Sequence, residues 1–144
     1  MKNNTILELM IKDHAKILRD LEVFEDKIKH SGKQLQKAFH CFEWNLEKHL
    51  FVEERAIFTA YNPEHIDEGY EIFIELSKEH TAILEKIKIL KKDLKEGKSV
   101  NISEFKQMLI EHKNFEEKNI YPKLDQEISE GEKRFIIERI NEVI

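Results

Sequence analysis

Residues 42–58 read FEWNLEKHLFVEERAIF, and residues 105–121 read FKQMLIEHKNFEEKNIY. Laid side by side without a gap, they share Phe42 with Phe105, His49 with His112, Glu53-Glu54 with Glu116-Glu117, Ile57 with Ile120, and an aromatic ring at Phe58 and Tyr121. A second pair of stretches repeats as well: Asp13-His14-Ala15-Lys16-Ile17-Leu18 aligns with Glu79-His80-Thr81-Ala82-Ile83-Leu84. The chain is therefore two similar helical hairpins in tandem. Residues four apart on a helix lie one turn above each other on one face. Each His-x-x-x-Glu can thus offer an imidazole and a carboxylate to the same point.

The apolar positions recur every three or four residues, as a core-facing helix requires. The inward series begins with Ile6, Met10, His14, Ile17, Leu21, Phe24 and Ile28, then Leu35, Phe39, Phe42, Leu46, His49, Glu53 and Ile57. It continues with Phe73, Leu76, His80, Ile83, Ile87, Leu90 and Leu94, then Phe105, Met108, His112, Glu116, Ile120 and Leu124. Each stripe is interrupted near its middle by His, or by His and Glu. Burying a carboxylate or an imidazole without a partner costs several kcal/mol. Four imidazoles and two carboxylates converging in one core call for a cation. This donor set lacks thiolate, which favours iron or manganese over a structural zinc site.

Gly (4) and Pro (2) are scarce and charged residues reach 37%, a balance that suits long amphipathic helices and leaves few turns for a β fold. Thr5 and Glu8 form a capping box for the first helix, which Ser31-Gly32 ends. The second runs from about Lys33 to Ala60, before Asn62-Pro63. The third starts near Ile66 to Glu68 and ends at Gly97. Asn101 and Glu104 cap the fourth, which runs to about Tyr121, where Pro122 kinks it or begins a further turn. Gly131 separates a last short helix, Glu132 to Val143, with Phe135, Ile136 and Ile140 on one side. The expected fold is all-α, an up-down-up-down four-helix bundle with a short C-terminal helix, and residues 1–144 form one domain.

Heights along such a bundle follow from the helical rise. His14 and His49 lie equally far from the first turn, roughly 26 Å, and face each other. His80 and His112 differ by about 9 Å, so the third connection has to climb that distance.

The net charge of −5 has both signs interspersed and no Lys/Arg block, which argues against nucleic acid as a partner. The single cysteine, Cys41, excludes an internal disulfide framework and fits a reducing, cytoplasmic setting. No uninterrupted apolar stretch reads as a signal peptide or as a membrane span.

In the combination of lone His14, His49-x-x-x-Glu53, lone His80 and His112-x-x-x-Glu116, over roughly Ile6 to Pro122, the chain resembles the hemerythrin-like, cation-binding (HHE) family. The resemblance implies a non-haem di-iron centre, oxo- or hydroxo-bridged when oxidised. It makes His14, His49, His80 and His112 terminal ligands, and Glu53 and Glu116 bridging carboxylates. It implies a small diatomic ligand, O2 or NO, and a role in sensing, stress response, iron handling or repair of iron centres. A di-iron enzyme, such as a peroxidase or an NO-reducing enzyme, is the alternative, and an O2 carrier or iron store the second. Oxygen carriers of the family add a histidine one turn from the lone histidine of the third helix, where this chain has Leu76 and Leu84. Ferritin-like proteins use Glu-x-x-His, a spacing that no histidine here shows.

Of the remaining residues, His30, His40 and His65 are expected at the surface or in structural roles, and Cys41 as a small buried group. Glu54 and Glu117 lie about 100° round the helix from their neighbours and are expected beside the site or at the surface. Tyr61, Tyr70, Tyr121 and Trp44 either line the entrance to the site or pack the bundle.

Overall fold

A computed structural model describes residues 5–30, 34–60 and 69–144, and the described residues are helical with no strand. Helix α1 spans Ile6–His30, α2 Leu35–Val52, α3 Gly69–Lys95, α4 Ser103–Phe115, α5 Tyr121–Glu127 and α6 Glu130–Val143. The expected breaks at Ser31-Gly32 and Asn62-Pro63, the start of the third helix at Ile66 to Glu68, and His65 and Tyr61 fall outside the described residues, as does the side chain of Tyr70.

Two apolar clusters stack along the bundle. One gathers Ile17, Leu21 and Phe24 of α1 with Phe39, Phe42 and Leu46 of α2, and is closed by Ile83 to Leu94 of α3 and Phe105 and Leu109 of α4. The C-terminal half of α1 thus meets the N-terminal half of α2. Phe24 stacks parallel to Phe42 at 6.4 Å between ring centroids, and Phe42 meets Phe105 edge-on at 6.0 Å. The other cluster holds Ile6, Met10, Ile57, Leu76, Ile120 and Leu124, sealed by Ile136 and Ile140 of α6. The six polar residues of the stripes lie between the two clusters. The stripe of α4 differs in one place: Leu109 is buried and Met108 is only partly so.

The connection from α3 to α4 makes up the height difference. Gly97 adopts φ +71°, its amide donates to Leu94 O and the Lys98 amide donates to Asp93 O, the pair of bonds that closes a helix with a left-handed residue. Val100 and Ile102 then climb along the core cluster rather than looping into solvent. The expected Asn101 and Glu104 cap is displaced: Ile102 holds the N-cap position, and Asn101 before it accepts from the Ser103 amide at 2.9 Å.

Helix α6 begins earlier than its glycine suggests. Ser129, in extended conformation, caps it through the Glu132 amide, so Gly131 lies inside the first turn. Only Ile136 and Ile140 of its expected face are buried, and Phe135 is 60% exposed. Phe135 precedes Ile136 by about 100° of rotation, which turns it away from the core and under the Arg139 guanidinium.

The start of α1 is tied to the far end of the sequence. Thr5 Oγ1 accepts from the Glu8 amide, half of the expected capping box. The Ile6 and Leu7 amides donate instead to the Asp125 carboxylate at 2.9 and 3.1 Å. A carboxylate there satisfies two free amides and faces the positive end of the helix dipole. Asp125→Ala is expected to cost about 1–2 kcal/mol and to lower the thermal midpoint by several degrees in a scanning experiment, with Asp125→Asn losing less. An unchanged midpoint in Asp125→Ala would show that these bonds add nothing.

Candidate metal centre

The two helices that carry His-x-x-x-Glu change their winding at the glutamate. Glu53–Ile57 and Glu116–Ile120 are π-helical, with the Phe58 amide donating to Glu53 O and the Tyr121 amide to Glu116 O. In an α-helix every step of four residues overshoots a full turn by about 40°, so His49, Glu53 and Ile57 would drift round the helix. One wider π turn rotates the chain back and keeps all three on the core face, and His112, Glu116 and Ile120 likewise. Pro122 follows only the second π turn, so proline is not what creates the pair. Such bulges favour functional sites.

The structure brings His14, His49, Glu53, His80, His112 and Glu116 into one buried cluster, with exposures of 5% or less. Nε2 of His14 lies 3.0 Å from Nε2 of His49, and Nε2 of His80 lies 3.2 Å from Nε2 of His112. Donor atoms of Glu53, His80, His112 and Glu116 fall within 4.8 Å of one another, as do those of His14, His49 and Glu116.

Each imidazole is held from behind by a carboxylate. His14 Nδ1 faces Glu117 Oε2 at 2.7 Å and His80 Nδ1 faces Glu54 Oε1 at 3.1 Å. His49 Nδ1 faces Asp13 Oδ2 at 2.6 Å, and His112 Nδ1 faces Glu79 Oε1 at 3.2 Å. Exchanging the two hairpins maps this set onto itself. An ionised carboxylate only accepts, so each Nδ1 carries the proton and a neutral ring keeps a bare lone pair on Nε2. With all four rings neutral, as metal binding requires, four lone pairs point inward in two close pairs. Glu53 Oε1 and both oxygens of Glu116 are sealed from solvent without a well-formed hydrogen bond, although imidazole Nε2 atoms stand 2.9–3.5 Å away. Lone pairs facing lone pairs, beside buried oxygens that accept nothing, are repulsive around nothing and favourable around a cation. The residues fit a metal.

Charge distribution without a metal shows the same strain. Burial pushes the Glu116 carboxyl up, and the neighbouring Glu53 charge adds to this, reaching about 8. Burial, the largest single cause, would raise Glu53 also, but the charge on His49 together with hydrogen bonds from Glu116, His49 and His80 holds it well below the usual carboxylate range. Burial lowers His49, yet the charge of Glu53 and the Asp13 hydrogen bond carry it to about 10. Protons on His49 and Glu116 then balance charge within the cluster. Outside the cluster, hydrogen bonding to His14 is the main cause holding Glu117 below its usual range.

Glu54 and Glu117 therefore sit beside the site, behind His80 and His14. Asp13 and Glu79 carry the same role without having been assigned one from sequence; their signal was the acidic residue that precedes the lone histidine in both repeats. Tyr121 is fully buried and its hydroxyl donates to Glu53 Oε2 at 2.6 Å. Phe58, its counterpart, stacks on His80 at 5.5 Å. Trp44 is 61% exposed beside the Lys48 ammonium and does not line the cluster. His30 and His40 are exposed and pair with Asp26 and Glu43. Cys41 is exposed rather than buried, because it faces the polar Asp20 and Asn45 on the flank of α2.

A cavity of about 20 Å³ adjoins the cluster. His14, His49, His112 and Lys113 give it a polar edge, and aliphatic side chains, among them Ile17, Leu46, Leu50, Ile83 and Leu109, line the rest. Among the described residues no helix is long and apolar enough to cross a membrane.

No curated protein and no solved structure matches the chain. The family described as Hemerythrin HHE cation binding domain matches residues 5–124. That span contains all six residues of the buried cluster and the four carboxylates behind the imidazoles. The chain belongs to the hemerythrin HHE cation-binding family, and its buried His/Glu cluster is where it can hold a metal.

Proposed function

We propose that the chain is a di-iron protein that binds or reacts with a small diatomic, O2 or NO, inside an up-down-up-down four-helix bundle. His14 and His49 hold one iron, His80 and His112 the other, and Glu53 and Glu116 bridge them. The observation that supports this most is the doubled set of inward Nε2 lone pairs, each fixed by a carboxylate on Nδ1. Metal-binding histidines are commonly oriented in this way, which fixes the tautomer and raises the basicity of the ligating nitrogen. Two pairs of inward imidazoles, matched between the hairpins, call for two ions.

Bound iron supplies a redox-active centre with positions open to an exogenous ligand. The chain's own residues set what reaches it. The cavity beside His14, His49 and His112 has room for about one small molecule; Lys113 also borders it, and the aliphatic majority of its lining favours an uncharged one. Leu76 is buried and Leu84 partly so, so α3 offers the second half only one imidazole. A site with fewer nitrogen donors is more open and favours oxidation over release of an unchanged ligand. A sensing, stress-response or iron-repair role suits such a centre, and a cytoplasmic setting suits all three.

Two measurements follow. At pH 7 metal-free His49 and Glu116 both hold protons, since their values near 10 and 8 lie above that pH, whereas ligands bind a metal in the deprotonated form. Metal uptake at pH 7 should therefore release protons, and affinity should rise from pH 6 to 8 by up to roughly tenfold per pH unit for each proton displaced. Uptake in weak buffer with no proton release would refute the charge distribution. Second, the reduced iron-loaded protein, exposed to O2 or NO, should change its optical spectrum. After O2 is removed the change should persist until reductant is added. Full and repeated recovery without reductant would restore the oxygen-carrier reading, and no change with either gas would remove the diatomic ligand.

A further inference from the structure

The two hairpins match at the histidines, at the glutamates and at the carboxylates behind the imidazoles, but not at residue 58 and its counterpart 121. Tyr121 carries a hydroxyl and Phe58 does not. Both rings neighbour a lone histidine: Phe58 lies 5.5 Å from His80, and Tyr121 lies 5.9 Å from His14 between centroids. The hydroxyl has a definite target. Its well-formed bond goes to Glu53 Oε2 at 2.6 Å; Glu116 lies close enough to act on the same hydroxyl but has no well-formed hydrogen bond.

The donor sets are unequal in the same sense. Both glutamates fall within 4.8 Å of the His80/His112 pair, while the His14/His49 set includes Glu116 alone. Glu53 turns Oε1 toward His49 and His80, at 2.9 and 3.5 Å, and Oε2 toward Tyr121. To serve the two halves through separate oxygens, Glu53 has to give its second oxygen to the side that Tyr121 occupies. A hydrogen bond to a charged acceptor is strong, and stronger still in a dry core. It draws electron density from the oxygen it holds and competes with a metal for the same lone pairs.

On the two-metal reading above, we propose that Tyr121 is a positioning residue that makes the two metal positions unequal: the His80/His112 position, with both carboxylates, fills first and tightly, and the His14/His49 position fills second and weakly. The chain then loads in two steps and exchanges one metal more readily than the other. Phe58 marks the half without this brake.

The test is an anaerobic calorimetric titration of the metal-free chain with Fe2+, in wild type, Tyr121→Phe and Phe58→Tyr, with circular dichroism to confirm the fold. Wild type should bind two ions with constants separated by roughly tenfold or more, the scale of one charged hydrogen bond. Tyr121→Phe frees Glu53 Oε2 and should tighten the weaker constant at least about threefold, with the total still two. Phe58→Tyr puts a hydroxyl on the Glu116 side and should weaken the tighter constant, and this arm decides the matter where Tyr121→Phe fails to fold. Two equal constants in wild type, an unchanged gap in a folded Tyr121→Phe, or a loss of both constants together would overturn the inference and leave the two-metal reading standing. Fewer than two ions in wild type would overturn that reading, and the inference with it.

Discussion

Six polar side chains share the middle of an apolar bundle, and they have too few partners there. Each imidazole spends its Nδ1 proton on a carboxylate, so the four Nε2 atoms have only one another and two glutamates to face. Burying such groups costs several kcal/mol each unless something offsets it. Protons on His49 and Glu116 offset part of the cost in the metal-free protein. A cation would offset the rest, because inward lone pairs that repel one another are attracted to it. The bundle around the cluster is arranged to present those groups: one apolar cluster on each side of them, a π turn at each glutamate, and a ring of four carboxylates at the rear.

Duplication explains the economy of that arrangement. One hairpin supplies a lone histidine, a His-x-x-x-Glu and two carboxylates, and the second supplies the same again. The supporting carboxylates cross between hairpins for His14 and His80 and stay within a hairpin for His49 and His112. Neither half can complete its imidazole supports alone, which ties the geometry of the centre to correct docking of the halves. Departures from the duplication, such as Tyr121 against Phe58, are then the places where the two halves acquire different properties.

Much of this was legible in the residues. The stripes placed His14, His49, Glu53, His80, His112 and Glu116 in one core, and the structure brings all six together, because helical periodicity and burial cost are both local arguments. The match of the chain to its family over residues 5–124 agrees with the motifs that carried the resemblance. What escaped depended on contacts between elements. Asp13 and Glu79 are visible in sequence only as acidic neighbours of histidines, and their role needs the facing helix. The π turns leave no residue signature, since Pro122 follows one and not the other. Asp125 reaches α1 across 119 positions of sequence, beyond any capping pattern. Cys41 was expected buried from its residue type, and Phe135 on one side with Ile136 and Ile140, whereas both are exposed.

The central claim is that these six residues hold two irons. Anomalous diffraction at the iron edge from crystals of the iron-loaded protein tests it most directly. The account predicts two peaks per chain about 3–4 Å apart, the spacing of two-metal sites, between His14/His49 and His80/His112, with Glu53 and Glu116 reaching both. A single peak, a pair elsewhere in the molecule, or either glutamate turned to solvent would contradict it.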